Sequence, residues 1–189
     1  MRSAARGYDP LICQYHKERS CIMSIRDLSR GNTDRAAFTA TADVWDGEAR
    51  VNIVLDDDTP RGSHTIERVI PQLDKLAQKI DIRRRRIEDA LLRGGWLETA
   101  EDWASMGKVS KREKGCYIMD SGEKVYLPLS EDDFCGSLLI ESICVYFDEE
   151  LEINDVTLYI VCQPDYFAGR AITVLLDSDG GIQIKGLEE

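Results

Sequence analysis

The chain has 189 residues, which is the size of one domain or of one domain with a short extension. Hydrophobic residues make up 43% of it, an ordinary share that allows a buried core. The formal net charge of −11 argues against nucleic acid as a partner, because phosphate binding requires a cationic surface. The same charge either favours a basic protein partner or only keeps the chain dissolved.

The sequence contains no segment suited to a membrane or to secretion. A membrane helix needs about 18 consecutive apolar residues, and none is present. The early apolar run Leu11–Cys13 is shorter than the core of a signal peptide, so we expect a cytoplasmic protein with no membrane contact. The six cysteines include no Cys-x-x-Cys pair, so we predict free thiols and no metal site.

Residues 1–35 differ from the rest of the chain. They carry scattered charge and turn-forming pairs such as Asp9-Pro10 and Gly31-Asn32, with no sustained periodicity. Met23 offers an alternative start. We therefore predict a flexible leader, or an upstream extension read from before the true start, and we assign residues 36–189 to a single domain.

A hairpin is predicted where two strand-like runs flank Asp46-Gly47, a dipeptide typical of a type I′ turn. A two-residue loop at this dipeptide pairs Trp45 with Glu48. Counting outwards gives the apolar pairs Val44–Ala49, Ala42–Val51, Ala40–Ile53 and Phe38–Leu55. All eight residues share one face, while the opposite face is polar and pairs Asp43 with Arg50.

Helices are predicted next, because the apolar period changes to three- and four-residue steps from Thr65. Pro71 either kinks this helix or begins its ordered part. Asp81 is placed to cap a second helix that ends near Arg93. The join between helices and sheet is expected to be filled by two tryptophans, Trp96 and Trp103.

The C-terminal third predicts an antiparallel sheet. Its strands are the apolar, β-branched runs Leu138–Phe147, Val156–Cys162, Ala171–Leu176 and Ile182–Ile184. A short hairpin over residues 117–127 precedes them, followed by a short helix that Ser130 caps and that carries Phe134 inward. The predicted fold class is therefore α+β, a mainly antiparallel sheet with the two helices of residues 65–93 packed on one face.

The stretch Asp177–Gly180 resembles the start of a calcium loop but lacks the later ligands, including the bidentate glutamate. The alternation of side chains between the two faces of the flanking strands supports a turn instead. The flanking strands share an apolar face if Leu176 lies opposite Ile182, which requires a three-residue loop with Gly180 in the left-handed conformation. We predict a hairpin.

Arg83–Arg86 is a basic run at the start of the second predicted helix. Four consecutive helical residues point to all sides, so they form no single binding stripe. Arg84 can pair with Glu88, and Arg85 with Asp89, which predicts an exposed and self-neutralised helix start. In the alternative interpretation, one or two of these arginines bind carboxylates of a partner.

Catalytic motifs are absent from the sequence. The two histidines, His16 and His64, accompany no nucleophile elbow, and no glycine-rich phosphate loop occurs. We therefore assign no catalytic, cofactor-binding or metal-binding residue and favour a non-enzyme. Two alternatives stay open: an enzyme with an unrecognised site near Arg170, and a structural or regulatory domain.

Three acidic runs, Asp56–Asp58, Glu131–Asp133 and Asp148–Glu150, lie at the ends of predicted elements. Such runs are ordinarily solvated turns. Grouped at one end of the sheet, they would instead form an anionic face for a basic protein, with Trp45 as an exposed aromatic contact. The candidate partner-binding residues are Trp45, Asp56, Asp57, Asp58, Asp148, Glu149 and Glu150.

Several segments occur together in a familiar order: Trp45–Gly47, Val51–Asp56, Leu138–Ile143 and Tyr166–Arg170. Over residues 37–187 the chain resembles the DUF2262 family of uncharacterised bacterial α+β proteins. The resemblance implies a bacterial origin and an α+β fold. The family typically has Phe-Trp-Gly-His where this chain has Phe167–Arg170, so no site residue is carried over.

These observations lead to one functional hypothesis. The acidity and the missing catalytic apparatus favour a cytoplasmic, non-catalytic protein-interaction domain. A more specific form, based on analogy with small bacterial α+β proteins, is an immunity-type protein that neutralises a basic toxin domain.

Overall fold

A computed structural model describes residues 25–30, 37–45, 47–56, 59, 63–177 and 179–188. These residues form ten strands and four helices. In chain order they are β1 (Arg26–Arg30), β2 (Phe38–Val44), β3 (Gly47–Leu55), α1 (Ser63–Ile82), α2 (Arg84–Arg93), α3 (Trp96–Ser105), β4 (Lys108–Val109), β5 (Cys116–Ile118), β6 (Lys124–Tyr126), α4 (Glu131–Ser137), β7 (Leu138–Phe147), β8 (Ile153–Cys162), β9 (Ala171–Leu176) and β10 (Ile182–Glu188).

The main sheet has seven strands in the order β1-β2-β3-β7-β8-β9-β10, and β4, β5 and β6 form a separate small sheet. Neighbouring strands are antiparallel except β3 and β7, which are parallel. The helical segment between β3 and β7 provides the long connection that a parallel pair requires. The mixed α and β content agrees with the predicted class, but the described residues contain four helices rather than two.

The apolar core lies on one face of the main sheet. Alternate residues along the central strands point into it, including Val51 of β3, Ile143 of β7, Leu158 of β8 and Val174 of β9. Burying a side chain of this size stabilises the folded state by about 1.5–3 kcal/mol. From α1 the core receives a stripe at helical spacing, formed by Val69, Leu73, Ala77 and Ile80.

The β2–β3 hairpin has a register two residues away from the predicted one. Val44 lies opposite Gly47 and Ala42 opposite Ala49, so Trp45 enters the loop with a φ of 51°. The predicted loop at Asp46-Gly47 is therefore wrong. The predicted apolar face is nevertheless confirmed, because an even shift keeps every side chain on its own side of the sheet.

Strand β1 lies inside the segment that the sequence predicts to be a leader. It pairs with β2, and Nη2 of Arg26 contacts Asp43 Oδ1 at 2.5 Å and Glu48 Oε2 at 3.2 Å. These contacts of Arg26 with Asp43 and Glu48 replace the predicted cross-strand pair of Asp43 with Arg50. Strand β1 is thus part of the main sheet, while residues 1–24 and 31–36 lie outside the described part.

The helices differ from the prediction at their ends. Helix α1 continues through Pro71 to Ile82. Asp81 lies in its last turn and does not cap α2, which starts after Arg83 with no side-chain cap. Instead, Asp81 Oδ1 accepts a hydrogen bond from the backbone N–H of Trp45 at 3.0 Å. This contact depends on tertiary packing, so local rules did not predict it.

Helix α3 was not predicted, although the role of its two tryptophans was. The rings of Trp96 and Trp103 meet the buried ring of Phe167 edge-on, with centroids 6.0 and 6.1 Å apart. Helix α4 matches the prediction: Ser130 Oγ accepts the N–H of Asp133 at 3.0 Å, and Phe134 is fully buried.

Two further local predictions, one in the β9–β10 turn and one in α2, are confirmed. Leu176 lies opposite Ile182, and Gly180 has a φ of 86°, as the hairpin requires. Arg84 Nε contacts Glu88 Oε1 at 2.8 Å. No ion pair joins Arg85 to Asp89 within the described residues.

Candidate functional site

Residues of two acidic runs lie next to each other at one end of the main sheet. The parallel register places Leu55 opposite Phe147, so Asp56 and Asp148, the next residues of β3 and β7, are neighbours. Adjacent strands lie about 4.8 Å apart. We call Asp56, Asp148, Glu149 and Glu150 the acidic edge; the other two predicted acidic residues, Asp57 and Asp58, lie outside the described part.

The third acidic run, Glu131–Asp133, lies away from the acidic edge. It forms the first turn of α4, which leads into the start of β7, whereas the acidic edge follows the end of β7. The strand is ten residues long, or about 30 Å at the usual rise. The two runs therefore lie at opposite ends of the sheet.

The backbone of the acidic edge is fixed by α1. Arg68 Nη2 donates to the carbonyl oxygen of Glu150 at 2.5 Å, and Gln72 Nε2 donates to that of Leu151 at 2.7 Å. Asp148 Oδ1 accepts the N–H of Glu152 at 2.9 Å, which closes the turn. The loop thus has a defined shape.

The side chains of Glu149 and Glu150 are exposed on this fixed loop. Within the described residues neither carboxylate takes part in a hydrogen bond or an ion pair. Asp56 is also exposed, and its carbonyl oxygen accepts the N–H of Thr59 at 3.0 Å. Glu149 and Glu150 therefore present their carboxylates to solvent from a fixed loop.

Trp45 does not belong to this surface. Its side chain is 2% exposed, and its Nε1 points to the carbonyl oxygen of Ile80 at 3.4 Å. The guanidinium carbon of Arg84 lies 5.4 Å from the ring centroid. The expectation of an exposed aromatic contact is corrected here, because the shifted turn directs the indole into the core.

A cleft that the sequence analysis did not anticipate lies between α1 and the sheet. It has a volume of about 500 Å³ and is lined by three cations, Lys75, Lys79 and Arg83, by the carboxylates of Glu152 and Asp177, and by amide and apolar side chains. We call it the α1 cleft. Its sequence signal is the four-residue spacing of three cations beside the apolar stripe of α1, which becomes informative only once the facing strands are known.

The comparison with family models gave one match. The model described as an uncharacterised protein conserved in bacteria, DUF2262, matches residues 30–187.

The chain belongs to the DUF2262 family.

The match begins at the last residue of β1 and runs into β10. Searches of curated proteins and of solved structures found no match. Family membership therefore confirms the resemblance noted in the sequence and brings no activity with it.

Around Arg170 of this DUF2262 protein, carboxylate side chains accept hydrogen bonds from backbone N–H groups. Asp165 accepts the N–H of Phe167 at 3.1 Å and that of Gly169 at 2.7 Å through its two oxygens. Glu123 Oε2 in turn accepts the N–H of Asp165 at 3.2 Å. The Arg170 guanidinium carbon lies 5.5 Å from the ring centroid of Trp103. These contacts shape the loop before β9.

In this DUF2262 protein, the three cysteines with a shifted pKa are not activated nucleophiles. Burial raises the pKa of Cys162 to about 12, and it also raises the pKa of Cys135 and of Cys144. A thiol with a raised pKa is a poor nucleophile at neutral pH.

The described residues contain no group of three or more His, Cys, Asp or Glu side chains able to hold a metal ion. Among the described helices, none combines the length and the apolar character needed to cross a membrane.

Proposed function

We propose that this protein is a non-catalytic interaction domain that binds a basic protein through its acidic edge. The observation that carries the proposal is the parallel pairing of β3 with β7. It places Asp56 beside Asp148 although they are far apart in sequence. Residues from two acidic runs that are separate in the chain thereby become neighbours.

Two physical properties suit this surface to a basic partner. The net charge of −11 attracts a cationic protein over long range and raises its association rate. The loop that carries Glu149 and Glu150 is held by Arg68 and Gln72, so its carboxylates need little ordering when a partner binds. Long-range attraction and a fixed loop together favour recognition of a partner by its positive charge.

A more specific form of the proposal is a bacterial, cytoplasmic immunity-type protein that neutralises a basic toxin domain. Its support is the acidity of the chain and the bacterial distribution of the family. A toxin domain active on nucleic acid carries cationic surface to bind phosphates. Carboxylates on a rigid support would cover such a surface.

A pull-down with two matched variants tests the proposal. The tagged chain is used to capture proteins from its source bacterium at about 0.05 M and about 0.5 M salt, with mass spectrometry as the readout. The test variant is Glu149→Lys/Glu150→Lys. The control, Asp102→Lys/Asp120→Lys, makes the same charge change at exposed positions on α3 and in the β5–β6 turn, away from the acidic edge.

We expect a basic protein that is retained at low salt by the wild type and by the control, and lost with the test variant. High salt should release it, because exposed charges are screened beyond about 4–5 Å at that concentration. A partner that the test variant still captures, or one that is held unchanged at high salt, would contradict binding through the acidic edge.

A further inference from the structure

The α1 cleft has the size and the wall chemistry of a small-molecule site. Its volume of about 500 Å³ falls within the usual range of about 300–1,000 Å³ for ligand pockets. Leu76 from α1 contributes apolar surface on one side, and Ile153 of β8 and Leu176 of β9 contribute it on the other. An apolar ligand body would therefore contact both walls.

Three cations line the same cleft. Lys75, Lys79 and Arg83 are spaced four residues apart, so they follow one another along one side of α1 over about 12 Å. Within the described part of the chain, none of their side chains takes part in a hydrogen bond or an ion pair. Unpaired cations are thus concentrated at one place in a chain with 35 acidic and 24 basic residues.

Two carboxylates also line the cleft and offset part of its positive charge. Asp177 also lines the cleft, but its Oδ1 accepts the backbone N–H of Gly181 in the β9–β10 turn. Glu152 is exposed in the turn before β8 and lies within 4 Å of no Lys or Arg nitrogen among the described residues. The three cations and two carboxylates leave the lining with a formal net charge of +1, which favours an anionic ligand.

One of the three cations, Arg83, lies against the β9–β10 turn. A Cβ atom added to Gly180 would lie 2.5 Å from Nη2 of Arg83, so the guanidinium occupies the space that a side chain at position 180 would fill. Gly180 already requires its positive φ of 86° for the hairpin. The lack of a side chain at Gly180 thus leaves room for the guanidinium at the end of the cleft.

We propose that the α1 cleft binds a small organic anion with an apolar body, of the class of aryl or alkyl phosphates and carboxylates. The anionic group would lie between Arg83 and Lys79, and the apolar body would rest on Leu76 and Leu176. Guanidinium and ammonium groups are the usual partners of phosphate and carboxylate oxygens. The inference is independent of the acidic edge.

The test uses three probes on the full chain: phenyl phosphate, inorganic phosphate and phenol. Binding is followed at constant ionic strength by the backbone amide NMR shifts. Phenyl phosphate should shift residues 72–83 and 152–156 with a dissociation constant on the order of 1 mM, as expected for a ligand of this size. Inorganic phosphate lacks the apolar body and phenol lacks the charge, so each should bind at least about tenfold more weakly.

Two charge-matched variants complete the test. Lys75→Gln/Lys79→Gln should weaken phenyl phosphate binding by about tenfold and leave the phenol response unchanged. Lys111→Gln/Lys114→Gln removes the same charge from an exposed loop beside the small sheet and should change the dissociation constant by less than about twofold. These positions are exposed, so neither variant should unfold the chain.

Several outcomes would overturn the inference. One is the absence of shifts with phenyl phosphate up to about 20 mM, which is far above the expected dissociation constant. Others are shifts located away from the α1 cleft, equal weakening by both lysine variants, and inorganic phosphate that binds as tightly as phenyl phosphate. The last result would show that the apolar walls take no part.

Discussion

Replacing Trp45 by alanine should destabilise the protein strongly, because its indole is part of the core. The side chain is 2% exposed, and Arg84 packs over the ring with its guanidinium carbon 5.4 Å from the centroid. Its Nε1 points to the carbonyl oxygen of Ile80 at 3.4 Å. Alanine would remove the packing, this hydrogen bond and the cation–π contact together.

The expected loss in the free energy of unfolding is about 3–5 kcal/mol. Removal of a buried aromatic side chain in other proteins costs this amount, which includes the cavity left behind. An indole buries about 150–250 Å², which at about 25 cal/mol per Å² corresponds to about 4–6 kcal/mol before relaxation. A domain is typically stable by about 5–15 kcal/mol, so Trp45→Ala should remain folded with little margin or be partly unfolded.

Urea denaturation followed by circular dichroism measures this loss. With a slope of about 2 kcal/mol per M, the midpoint should fall by about 2 M. Ile82→Ala is the control, because Ile82 is 83% exposed, and its change should stay within about 0.5 kcal/mol. A loss below about 1 kcal/mol for Trp45→Ala would refute the buried placement and restore the exposed contact expected from the sequence.

Three further predictions concern single contacts. Asp81→Ala removes the acceptor of the Trp45 N–H at 3.0 Å and should cost about 1–3 kcal/mol by urea denaturation; a neutral result would mean that the contact is not formed in solution. Ser130→Ala removes the cap of α4 and should cost about 1 kcal/mol in the same assay, whereas Ser130→Gly should cost only a few tenths, so equal losses would count against capping. The hydrogen bond from Lys124 holds the pKa of Glu113 below its ordinary value of 4.5. A lowered carboxyl pKa stabilises the folded state above the unfolded value, and this contribution is lost as the pH falls from 4.5 through the folded pKa. Carboxyl ¹³C NMR should show this titration below 4.5, and Lys124→Met should move it upwards; no movement would exclude the pairing.

The sequence predicted best those features that local rules decide. Side-chain parity identified the buried face of the first hairpin despite the wrong turn, because an even shift exchanges no residue between faces. The same argument placed Leu176 opposite Ile182 and gave Gly180 its left-handed conformation. Capping chemistry located the start of α4 at Ser130.

The features that were missed depend on contacts between distant parts of the chain. The pairing of β3 with β7 follows from the path of the whole helical segment, and β-strand patterns carry no signal for which strands become neighbours. The loop position of Trp45 depends on its packing against α1, so the turn dipeptide alone misplaced it. Strand β1 has only five residues, with Leu28 as its partly buried hydrophobic residue, which is too short a pattern to recognise.

The candidate sites show the same difference between features that local rules decide and features that depend on tertiary contacts. The sequence identified the acidic residues individually, but their grouping required the parallel register. The α1 cleft escaped prediction because its apolar walls come from both α1 and the two strands β8 and β9. A surface formed by several elements becomes visible only with the tertiary structure.

The parallel register of β3 and β7 is most directly tested by nuclear Overhauser contacts between their backbone protons. The structure predicts amide-to-Hα contacts that connect Val51–Leu55 with Ile143–Phe147 in the same chain direction, with Leu55 level with Phe147. Strong Hα–Hα contacts between residues running in opposite directions, or contacts of Leu55 with the start of β7, would contradict it and would separate Asp56 from Asp148.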